Sequence, residues 1–150
     1  MDVEKVIREY LPNVLHMSLA TCGDNKPWVC EVHFVYDDEL NLYWRSKTVR
    51  RHSQEIAKNP HVAGNIVEQH SINTKPRALY FEGTAEIVEN IDEESVVYKR
   101  FVERIGADPG FLEDARNPDG HKVYKVNVSD WYLFDSRESS PSNKYHLDRK

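Results

Sequence analysis

LNLYWRSKTVRRHSQEIAKNPHV, residues 40–62, passes from an alternating apolar segment into a basic, hydroxyl-rich turn and then into a helical pattern. Leu40 to Arg45 reads as a strand, because Leu40, Leu42 and Trp44 recur at every second position. From about Val49 to Lys58 the spacing changes: Val49, His52 and Ile56 fall near one helical face, and Asn59-Pro60 stops the helix. Arg45, Lys47, Arg50 and Arg51 gather around Ser46, Thr48 and His52 at the apparent helix start. A helix N-terminus has unpaired N–H donors and partial positive charge, and nearby Lys or Arg adds charge-assisted hydrogen bonds, so the cluster suits a phosphate. A solvated basic helix face is the competing reading of the same residues.

Outward from that stretch, 150 residues make one domain long enough to bury a single core. Hydrophobic residues at 39% and charged ones at 30% describe a soluble globular protein. The net charge is −5, so the basic cluster stands against an acidic background. General nucleic-acid binding is excluded, because it needs a broad basic surface. No apolar run has membrane-spanning length, and Met1 to Leu11 lacks the apolar centre of a signal peptide, so a cytoplasmic protein with no membrane partner is expected. Cys22 and Cys30 have no CxxC spacing and read as free, partly buried thiols. The seven histidines show no metal-ligand spacing, and no GxSxG elbow is present, so neither a metal site nor a serine hydrolase is expected.

Val3, Val6, Ile7, Tyr10 and Leu11 form the apolar stripe of a short helix ended by Pro12. Val14 to Thr21, a Gly23-Asp24-Asn25 turn and a run from Trp28 to Tyr36 read as a hairpin, with Trp28, Cys30, Val32, Phe34 and Tyr36 on one strand face. His61 to Val67 and Arg77 to Glu89 are further strands, and Gly83 marks a bulge or a close backbone contact. Asp92 is placed to cap a helix carrying Val97, Phe101 and Ile105, and Val123 to Val128 and Trp131 to Asp135 close the series. Seven strands and three helices without βαβ alternation make an antiparallel, barrel-like plan. The last fifteen residues are polar and read as a loose tail, or, from Tyr145 and Leu147 around His146, as a segment that docks.

The hairpin LHMSLATCGDNKPWVCEVHFVYDDELNLYWRSK (15–47), the segment RRHSQEIAKNPHVAGNIV (50–67) and the strand ALYFEGTAEIVE (78–89) with a helix after it resemble, in order and spacing, the flavin-binding split-barrel superfamily typified by pyridoxamine 5'-phosphate oxidase. The resemblance implies an α+β fold, a six-stranded antiparallel split β-barrel with flanking helices, forming a homodimer with FMN at the subunit interface. Its phosphate-binding position falls on Ser46, Lys47, Thr48, Arg51 and His52. Its second strand, which lines the isoalloxazine ring, falls on Trp28, Val29, Cys30 and Glu31. Its chain end, which approaches the neighbouring subunit's flavin or substrate, falls around Lys144, Tyr145 and His146.

Two departures bear on the substrate. Where pyridoxamine 5'-phosphate oxidase has an Arg-x-Val-Leu-Leu-Lys stretch this chain has Glu31 to Tyr36, EVHFVY, and its end, YHLDRK, has no Trp. A substrate other than pyridoxamine phosphate is expected. The functions implied are an FMN-dependent oxidoreductase acting on a small-molecule substrate or reductant, with no assigned catalytic side chain, or a protein that binds flavin or haem without turnover. A deazaflavin-dependent reductase is a further alternative.

Overall fold

Asp24 and Asn25 both take left-handed backbone angles, φ 54° and 60°, and so close the tight hairpin between β1 (His16–Gly23) and β2 (Lys26–His33). In this computed structural model, which describes residues 1–106, 109–136 and 144–150, that hairpin opens one curled antiparallel sheet. The other strands are β3 (Val35–Tyr36), β4 (Leu42–Lys47), β5 (His61–Val67), β6 (Arg77–Ile87), β7 (His121–Asp135) and β8 (Lys144–Asp148). Their order is β2-β1-β5-β6-β7-β4-β3, with β8 on the far part of β7. Helices α1 (Val3–Tyr10), α2 (Arg51–Lys58), α3 (Val96–Ile105) and α4 (Phe111–Arg116) flank it. The result is a half-barrel, the split β-barrel of α+β type, in which short β3 and β8 supplement six longer strands. Among the described residues no helix is long and apolar enough to cross a membrane.

The sheet has two cores, and β4 serves both. Leu42 and Trp44 point into the barrel with Leu19, Phe81 and Trp131, whereas Tyr43 points outward with Val123 against Phe101 of α3 and Phe111 of α4. By the same alternation Ser46 lies on the inner side of β4, and Arg45 and Lys47 lie on the α3–α4 side.

Several expectations shift. The run from Trp28 to Tyr36 breaks at Phe34: Phe34 and Val35 are consecutive yet both fully buried, in different cores, which one continuous pleat does not allow. The third strand begins at Leu42 rather than Leu40, because Leu40 sits at φ 65° in a turn whose amides Glu39 N and Asn41 N donate to Asp37 Oδ1 at 3.0 and 2.9 Å. Helix α2 starts at Arg51, and α3 starts at Val96 because Asp92 instead closes the preceding turn, accepting from Glu94 N at 2.9 Å. The two final strands are one, β7, carried through a bulge opposite Gly83, where an added Cβ would stand 2.2 Å from Asn127 O. Helix α4 was not legible. The chain end docks: β8 pairs with β7, and Tyr145 and Leu147 pack on the barrel core. Cys22 and Cys30 are free.

Candidate functional site

A sheet that curls without closing leaves a seam, and here the seam holds the principal cleft. Strand β2 ends the sheet on one side; on the other, β3 covers only Leu42 and Tyr43, so the rest of β4 has a free edge. Between them opens a cleft of about 630 Å³, lined by Glu31, Val32 and His33 from β2 and Arg45, Ser46 and Lys47 from β4. Phe101 and Ile105 of α3 and Phe111 of α4 form an apolar wall, and Arg50 and His52 border it where α2 begins.

The four basic residues of the 45–51 stretch do different work. Arg51 Nε donates to Glu55 Oε2 at 3.0 Å, its guanidinium lies 4.2 Å from the Trp28 ring centroid, and Thr21 Oγ1 donates to the other oxygen of Glu55 at 2.6 Å. That network ties α2 to the β1–β2 hairpin and lies outside the cleft. Arg45 Nη2 donates to Asp114 Oδ2 at 2.8 Å, with its guanidinium 4.0 Å from the Phe111 centroid. Lys47 and Arg50 line the cleft, and their side chains make no hydrogen bond or ion pair among the described residues. Among the described residues no side chain caps α2 either, so its first-turn amides are available to an acceptor.

His52 and Ser46, both buried, meet at 2.6 Å between Nε2 and Oγ. Burial first, and the Arg50 charge second, hold the His52 pKa below its ordinary value, so the ring is neutral near pH 7. In the tautomer with its proton on Nε2, His52 donates to Ser46 and leaves the serine's own proton for an anion. On the other side of β4, Asp114 Oδ2 accepts from His121 Nδ1 at 2.8 Å. The neighbouring charges and hydrogen bonds outweigh the burial that opposes ionisation, and the Asp114 carboxyl is held low. Across the seam, Ser18 Oγ donates to Glu31, and His33 rests on His16 with ring centroids 4.8 Å apart.

Of the residues read from the sequence, Glu31, Ser46, Lys47 and His52 meet in this cleft. Arg51 and Trp28 meet each other instead. Val29 faces outward and is 59% exposed, and Cys30 packs against the barrel core, where burial pushes its thiol pKa up. Thr48 lines a separate pocket of about 360 Å³ between α2 and β6–β7. Lys144 begins β8 opposite Phe134, and its side chain lies outside the described residues. Sequence reasoning placed Arg45 and Arg50 in the anion cluster without separating their roles, and it missed His33, Asp114 and His121 as cleft or cleft-supporting residues. For Asp114 and His121 no signal was present, because α4 itself was not legible.

The family model for pyridoxamine 5'-phosphate oxidase matches residues 3–135. The chain belongs to this family. No protein of curated function matches it in sequence. Among solved structures, Campylobacter jejuni ChuZ is 18% identical with a TM-score of 0.77, over 97% of this chain and 59% of that one. A haem-binding protein from Mycobacterium smegmatis is 15% identical with a TM-score of 0.73, over 95% of this chain and 56% of that one. HutZ, the haem storage protein from Vibrio cholerae, is 22% identical with a TM-score of 0.67, over 85% and 91% respectively. The chain thus spans just over half the length of the first two. Identities this low carry the split-barrel fold and no more.

Proposed function

We propose that this chain is an FMN-binding protein of the split-barrel family, acting as an oxidoreductase, with the cofactor phosphate held at the α2 end of the seam cleft. The observation that carries the reading is the pair of uncommitted cations, Lys47 and Arg50, beside the uncapped start of α2. An FMN phosphate is close to doubly charged at neutral pH and needs this kind of donor set to leave water. Ser46 adds a hydroxyl whose orientation His52 fixes. FMN, when bound, supplies the electron- or hydride-transfer chemistry, and the chain's residues bind, orient and exclude water. The apolar wall of Phe101, Ile105 and Phe111 suits a flat aromatic ring system.

A second copy of the chain is the proposed partner. The cleft is open along the seam, and β2 beside it is an edge strand exposing Trp28 at 41% and Val29 at 59%. With EVHFVY in place of the pyridoxamine phosphate motif, the substrate is a different small molecule.

Haem is the second reading, supported by the haem-binding and haem-storage neighbours and by two cleft histidines, His33 and His121. Titration of the purified protein with FMN, riboflavin and haemin separates the readings. Tight FMN binding with riboflavin at least about tenfold weaker, as loss of a charge-assisted phosphate contact requires, supports the proposal. Equal affinities for both flavins overturn the phosphate site, and a Soret band with no flavin binding favours haem. Oxidation of a pyridine nucleotide by the FMN-loaded protein distinguishes an oxidoreductase from a carrier.

A further inference from the structure

Asp114 and His121 are held together more firmly than an incidental surface pair. One oxygen, Asp114 Oδ2, accepts from the His121 ring at Nδ1 (2.8 Å), from the His121 backbone N–H (3.2 Å) and from Arg45 Nη2 (2.8 Å). The loop between α4 and β7 is shaped for this approach: a Cβ on Gly120 would stand 1.8 Å from Asp114 O, so only glycine lets the two segments close. Lys122 Nζ donates to Ala115 O at 2.9 Å and Asn117 O at 2.7 Å, which pins the end of α4 to β7. His121 lines the cleft, its side chain is 43% exposed, and its Nε2 has no partner among the described residues. Lys47 is its cross-strand partner.

An imidazole whose Nδ1–H is engaged by a carboxylate has its proton placed on Nδ1 and presents a lone pair on Nε2. A carboxylate behind a histidine also stabilises the imidazolium that forms when Nε2 takes a proton. We propose that Asp114 and His121 form the proton-accepting pair of this cleft, acting on a substrate that carries an acidic O–H or N–H group. The substrate's X–H bond breaks, the proton passes to Nε2, the electron pair stays on X, and Asp114 balances the imidazolium until the proton leaves through the exposed side of the ring. Asp114 is the positioning residue, and Arg45 donates to the same oxygen. The inference rests on the cleft being a substrate site and not on which cofactor it holds.

Imidazole ¹⁵N NMR of the full chain without ligand tests it, with the His121→Gln protein identifying the resonances. The expected result is a proton on Nδ1 and a bare Nε2 whose signal moves when inorganic phosphate is added near neutral pH, since the monoanion carries an O–H. In Asp114→Asn the tautomer preference is lost while the other six histidine signals hold their positions. A proton found on Nε2 in the parent protein overturns the pair whether or not the variant folds. So does an unchanged tautomer in Asp114→Asn, or an Nε2 signal indifferent to phosphate. If these results hold and FMN does not bind, the cofactor reading falls and the proton-accepting pair stands.

Discussion

Replacing Lys47, Arg50 and Arg51 one at a time by Ala separates free cations from a committed one, and the expected effects differ because the three sit in different surroundings. Lys47 is half-buried on β4 and unpaired among the described residues, so its ammonium meets an incoming phosphate with little competition. Losing one charge-assisted bond costs about 1.5–3 kcal/mol, which weakens FMN binding roughly 10- to 150-fold. Arg50 is exposed, and water screens it; an exposed ion pair contributes up to about 1 kcal/mol, so its loss weakens binding by about fivefold or less. Arg51 donates to Glu55 at 3.0 Å and stacks on Trp28, outside the cleft, so Arg51→Ala leaves the FMN dissociation constant within about threefold and instead loosens α2 from the hairpin. Flavin fluorescence quenching measures all three, with riboflavin as the control whose affinity no variant changes. If Arg51→Ala loses as much FMN affinity as Lys47→Ala at an unchanged melting temperature, the division into free and committed cations is wrong.

Arg104 donates from α3 to Phe34 O at 3.0 Å, to Leu11 O at 3.2 Å and to Val14 O, so Arg104→Met removes the donor these carbonyls share, while Leu11 O keeps the Val14 N–H at 3.3 Å. Partial hydration offsets part of the loss, leaving about 2–4 kcal/mol and a melting drop of about 5–15 °C. A urea midpoint unchanged within error refutes this. The Thr21 hydroxyl, and after it Arg51, hold the Glu55 pKa below its ordinary value, so the stability that carboxylate contributes is present above about pH 4.3 and lost as the pH falls through its lowered folded value. Glu55→Gln should therefore flatten stability against pH in that acid window, and urea midpoints with an unaltered acid limb count against it. At Gly83, an Ala Cβ would meet Asn127 O at 2.2 Å, so Gly83→Ala must shift the β6–β7 bulge at a cost of about 1–3 kcal/mol; a neutral substitution by the same unfolding assay shows the bulge to be adaptable.

Which parts of this molecule can be read from sequence follows from how far the deciding interaction reaches along the chain. Alternation in 16–33 and 77–87 is local and made those strands legible, as did the Asp24-Asn25 turn between β1 and β2. The bulge at Gly83 was legible for the same reason, because a glycine inside an alternating strand has a local cause. The break at Phe34 was not, since it depends on a second core that only α3 and α4 create. The same distinction sorts the basic stretch. Arg51 and Glu55 are four residues apart on one helix, so their pairing was readable. Arg45 meets its carboxylate 69 residues away, on a helix the sequence hides, and nothing local separates it from Lys47. The proposed anion site therefore rests less on where cations cluster than on which of them lack a carboxylate partner among the described residues, and Lys47 and Arg50, at the open seam of the barrel, have none there.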